Sequence, residues 1–136
     1  MRRAAWALAA LLLLPAGTDR QAYGQRVQTE LTGRRVSGGV YDFAPEMNTF
    51  LQEHLFCDIF ARGVFTWEER EFATVGMLSG IGNVNPQLAA HMRTAMHNGV
   101  TPEELAAVTA LLAEEVDEET GENAESVRQS VLSNEE

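Results

Sequence analysis

Three histidines, one cysteine and a few carboxylates in unexpected places are the residues of this chain that could do chemistry. His91 and His97 lie in "NVNPQLAAHMRTAMHNGVT", His54 and Cys57 in "FLQEHLFCDIF", and Glu71 in "WEEREFATVGMLSG". Advancing about 100° per residue from Leu88, Met92, Ala95 and Gly99 form an apolar stripe, with His91 at its border and His97 on the far side. His97 therefore reads as solvated. His91 reads either as a satisfied packing residue or as an acid–base group, and its position alone leaves both open. Glu71 falls inside the apolar arc of Trp67, Phe72, Val75 and Leu78. A carboxylate buried there must find a hydrogen bond or give up its charge. It is a candidate acid or base, or else the partner of an arginine such as Arg70 or Arg93.

His54 and Asp58, four residues apart, share a helix face with Met47 and Leu51, so the carboxylate can orient the imidazole or simply pair with it. Cys57 sits at the edge of that face, where a lone buried thiol is inert unless a positive charge or a helix start lies nearby. His54 and Cys57 are the candidates for lining a substrate pocket. No spacing here makes a metal site: there is no HxxxH or HExxH pattern and no cysteine pair. A phosphate-binding glycine loop and a nucleophilic serine elbow are missing too. The expectation is a protein with neither metal nor cofactor.

The elements that must position these residues read as helices throughout. One helix starts at Pro45 and stops before Gly63. The next opens on Thr66-x-x-Glu69, a capping-box pattern, and ends in "SGIGN". A third takes Asn85 as N-cap with Pro86 following, and closes at Asn98-Gly99. A fourth repeats the device with Thr101, Pro102 and Glu104. The acidic joint "EEVDEETGE" reads as a solvated helix end and loop, followed by an amphipathic stretch from Glu122 to Leu132 carrying Ala124, Val127 and Val131 on one face. The helix from Pro45 is apolar nearly all round, as expected of one that is central or covered by a second subunit. No run alternates as a strand would. The expected fold is all-α, a single helical domain over residues 45–133, behind a leader segment over 25–44.

The first 24 residues have a different character. "MRRAAWALAALLLLPAG" sets two arginines before an apolar run too short to cross a bilayer, and "AYG" places small residues before Gln25. Residues 1–24 read as a signal peptide cleaved before Gln25, which places the protein outside the cytoplasm, periplasmic or secreted. The formal net charge of −10 at pH 7 repels nucleic acid and anionic lipid, so neither is an expected partner. With one cysteine, no internal disulfide can form. No second apolar span follows, so no membrane association is expected after processing.

The run from Phe50 to Leu105 resembles the carboxymuconolactone decarboxylase family. The family's stretches "fGdiw.R", "RelvTiaalaalG" and "NGvTpeEl" appear here as "LFCDIFARG", "REFATVGMLSGIG" and "HNGVTPEEL". "GENAESVRQSVL" is similar to its closing helix. The resemblance implies an all-helical fold of the alkyl hydroperoxidase D-like type, oligomerising through its helices as a homotrimer or homohexamer. It implies His91 as the functional helix histidine and Glu71 as a proton-relay carboxylate. It also implies a small-molecule substrate, an organic acid or lactone, for a cofactor-free decarboxylase. In the family's peroxidase branch (peroxiredoxin activity) a C-x-x-C pair precedes that histidine, and by position the pair falls on Val84 and Gln87. The thiolate nucleophile of that branch is therefore missing. The remaining alternative is an oligomeric binding protein that has kept the fold and lost the chemistry.

Overall fold

The computed structural model describes Leu14 and residues 16–133. Most of the expected signal peptide lies outside the described residues, and the rest of it does not. Eight helical elements follow in order, and there is no strand among the described residues. They gather into two compact units, divided between Thr66 and Trp67. No helix among the described residues is long and apolar enough to cross a membrane.

The first unit holds α1 (Arg20–Thr32), α2 (Val40–Phe43), α3 (Pro45–Phe50) and a π-helix (Leu51–Phe60). α1 is capped by Asp19, whose side chain accepts from the Ala22 N–H at 2.9 Å, and it stops at Gly33, whose φ of 72° only glycine adopts without strain. The helix expected from Pro45 to Gly63 is present, but its second half is wound as π, seen in the Ala61 N–H bonding five residues back to Phe56. Gln52, Phe56 and Cys57 turn inward, while Met47 and His54 are exposed. The expected Met47–Leu51–His54–Asp58 face stays on the less buried side, with His54 3.4 Å from Asp58. The buried face meets α1 through Gly24, Val27, Gln28 and Leu31.

The second unit holds α4 (Trp67–Ile81), α5 (Asn85–His97), α6 (Pro102–Glu115) and α7 (Glu118–Ser133). Its core is Val75, Leu88, Met92, Ala95, Val100, Leu105, Ala124, Val127 and Val131. The Thr101–Glu104 capping box forms in full. The N-cap of α5 is Val84 rather than Asn85. Asn85 is drawn elsewhere, exchanging two amide hydrogen bonds of 2.9 and 3.0 Å with Asn123 on α7. The acidic joint shrinks to a tight turn, because Asp117 accepts from the Thr120 N–H at 2.7 Å and α7 starts at Glu118. Gly121 lets α7 close on α6, since a Cβ there would fall against the Ala113 backbone. Glu125 fastens the same pair. It accepts from Arg128, Thr109 and Gln129, and Arg128 holds its carboxyl down to about 2.

Candidate functional site

Helix α4 brings its buried face to α5 as Glu71, Val75 and Ser79, each one turn from the next. The middle residue belongs to the core; the outer two are polar. Ser79 is satisfied locally, donating to the Val75 carbonyl at 2.8 Å. Glu71 cannot be, because it sits one turn in from the helix start and its side chain is fully enclosed. Its partner comes from α5. Leu88 and Met92 pack into the core and leave His91 at the border of the stripe, and the His91 Nδ1 lies 2.7 Å from the Glu71 Oε2.

This pair is asymmetric in a way that matters for chemistry. The Glu71 carboxyl is at 0 % exposure, while the His91 side chain is 39 % exposed. The protein therefore presents one imidazole to the outside with a carboxylate held behind it. With Nδ1 engaged by Glu71, Nε2 is the ring nitrogen left for a ligand. The other carboxyl oxygen, Oε1, is buried with no hydrogen-bond partner. A native fold rarely leaves a carboxylate oxygen in that state, and such groups concentrate where function demands them. The arrangement can pass a proton through Nε2, with Glu71 fixing the ring from behind through Nδ1.

The sequence-derived candidates are thus placed as follows. Glu71 and His91 are brought together, and the partner of Glu71 is the histidine rather than an arginine. His97 is exposed. His54 and Cys57 lie in the first unit, on the π-helix. His54 is exposed, 3.4 Å from Asp58 and stacked near Phe50. Asp58 is shared with Arg20, whose guanidinium holds its carboxyl below the usual carboxylate range. Cys57 is buried, and desolvation pushes its thiol up, away from the thiolate form. Val84 is half-buried ahead of α5 and Gln87 is exposed on its first turn. Among the described residues no three His, Cys, Asp or Glu side chains gather as a metal site would require.

Sequence reasoning missed the Glu125–Arg128–Thr109–Gln129 network. It borders a groove of about 540 Å³ between α6 and α7, lined by small residues such as Ala106, Ala110 and Ala113. The Glu125-x-x-Arg128 spacing was the available signal, since i, i+3 pairs of opposite charge meet on a helix surface. Thr109, Arg128 and Gln129 all donate to Glu125, and Thr109 and Arg128 also donate to the Ala106 and Pro102 carbonyls, which is how a structural pin looks, whereas the Glu71 Oε1 is left unspent.

Helices α4 and α5 thus set an enclosed carboxylate behind a partly exposed imidazole within an all-helical fold. The family model for the carboxymuconolactone decarboxylase family matches residues 45–120, more than half of the chain. The chain belongs to that family. No curated protein matches it.

Proposed function

We propose that this protein is an exported, cofactor-free acid–base enzyme that acts on a small organic acid or lactone, with His91 as the catalytic group and Glu71 behind it. The observation that carries the reading is the 2.7 Å contact between a fully enclosed carboxylate and a half-exposed imidazole. In a decarboxylation the bond from carbon to the carboxylate group breaks, its electron pair stays on carbon and carbon dioxide leaves. His91, protonated at Nε2, then gives that proton to the carbon and is recharged from solvent. Glu71 fixes the ring through Nδ1 and stabilises the imidazolium between turnovers.

Export is supported by the arginine pair and the short apolar run at the start of the chain. Self-assembly is supported by exposed apolar side chains, among them Phe43 at 89 % and Ile81 at 68 %. A thiol peroxidase reading gains nothing from the structure: Val84 and Gln87 carry no thiol, and Cys57 is enclosed.

The test is a panel of small carboxylated lactones and β-keto acids, followed by carbon dioxide release and by thermal shift. A substrate should stabilise the protein in proportion to its concentration over its dissociation constant. His91→Asn should abolish turnover, and Glu71→Gln should reduce it while leaving binding in place. Turnover that survives His91→Asn overturns the assignment. Stabilisation by a ligand without turnover makes the protein a binding module.

A further inference from the structure

The residues just before Gln25 are built into the first unit. Asp19 caps α1, with its side chain accepting from Ala22 N–H and its carbonyl from Tyr23 N–H at 3.0 Å. One turn of side chains beyond the cap reaches across to the neighbouring elements. Arg20 donates to the Asp58 carboxylate and to the Glu53 carbonyl, and Gln21 donates to Thr49 at 3.2 Å. Gly24 is buried, and a Cβ on it would land on the Gln52 backbone carbonyl. Only glycine permits α1 and the π-helix to approach that closely.

Cleavage before Gln25 would remove all of this at once. The remainder of α1, residues 25–32, would be two turns long and marginal without its packing. Its new α-ammonium would sit at the positive end of the shortened helix's dipole, whereas α1 now begins on the favourable carboxylate of Asp19. We propose that the leader is removed upstream of Asp19, at the small residues Ala16 and Gly17, and that Asp19–Gly24 remains in the mature protein as the anchoring start of α1. Processing is the hydrolysis of one peptide bond there, with water supplying the hydroxyl of the new carboxyl group and a proton of the new amine. The inference rests on the export reading above and shifts its cleavage point by at least six residues from the one that the "AYG" pattern indicates.

The full chain from Met1, with a carboxyl-terminal tag, would be expressed in a bacterium with a general secretory route and recovered from outside the cytoplasm. Intact mass and amino-terminal sequencing should place the first residue no later than Asp19. Arg20→Ala and Gly24→Ala, made in the same full chain, should each appear in the mass of the exported product. Gly24→Ala should also lower its urea midpoint with little change in slope. An exported product that starts at Gln25, or whose mass is blind to both substitutions, overturns the proposal. A chain that stays inside the cell unprocessed overturns the export reading and the processing site with it. The urea midpoint of Gly24→Ala then still decides whether residue 24 is structural, and an unchanged midpoint removes that claim as well.

Discussion

Replacing Glu71 with leucine asks whether the carboxylate is held for chemistry or for support. Three contributions set the outcome. Losing the 2.7 Å bond to His91 costs about 1.5 kcal/mol, the low end for an ionised acceptor, because the half-exposed ring can turn to water instead. Removing the enclosed, unpartnered Oε1 returns roughly 1–3 kcal/mol of desolvation. Leucine adds about 0.8 kcal/mol of apolar transfer, one methyl group's worth, since the methylenes of Glu71 are already enclosed. The net lies between about 0 and 2 kcal/mol in favour of the variant, and the upper end raises Tm by several degrees for a chain of this size. Urea denaturation followed by far-ultraviolet circular dichroism measures it, with Glu71→Ala as the control. Alanine leaves a void and should lose about 2 kcal/mol or more. An enzyme-like site gives a leucine variant that is inactive yet at least as stable as the parent, the usual trade between a functional group and the fold. If Glu71→Leu instead loses 2 kcal/mol or more, the carboxylate is a structural support and the argument from its unpaired oxygen is wrong.

Three further outcomes follow from the second unit and one from the first. Because Glu125 titrates in the folded chain at about 2, below the ordinary carboxylate value of 4.5, its contribution is complete above about pH 4.5 and disappears as pH falls towards 2. Discounted for its partial exposure, that is on the order of 1–2 kcal/mol, and urea midpoints of Glu125→Gln should be flatter across that window than those of the parent. Gly121→Ala drives a methyl into the Ala113 backbone and should cost about 1–3 kcal/mol, read as a lower midpoint. Thr101→Ala removes the hydroxyl that accepts from the Glu104 N–H, one half of the α6 capping box, and should cost about 1 kcal/mol by the same measurement. Cys57 should react with iodoacetamide far more slowly in the native chain than in 8 M urea, because its thiol is enclosed and held protonated. Equal rates would show that the π-helix opens freely.

Local rules settled much of this protein. Proline at Pro45, Pro86 and Pro102, the Thr101–Glu104 box and the Asn98-Gly99 stop fixed where helices begin and end, since each acts within one turn of chain. The apolar stripes of α5 and α7 likewise named Leu88, Met92, Ala95, Ala124, Val127 and Val131 before any packing was seen. α1 was not legible in this way, because residues 1–24 read as a signal peptide and 25–44 as a leader segment, although Asp19 caps it and Gly33 stops it. The small residues of "AYG" drew attention to a cleavage site there instead. Periodicity also placed Glu71 on an apolar face and His91 at a stripe's edge, twenty residues apart. Three things depended on tertiary structure. The π winding of Leu51–Phe60, which turns Gln52, Phe56 and Cys57 inward, is announced by no residue pattern. Gly24 became indispensable only because a backbone carbonyl from another helix presses on it. And the pairing of Glu71 with His91, rather than with an arginine, was decided by how α4 and α5 pack, because a hydrogen bond between distant residues is a property of the distance between two helices and not of either helix alone.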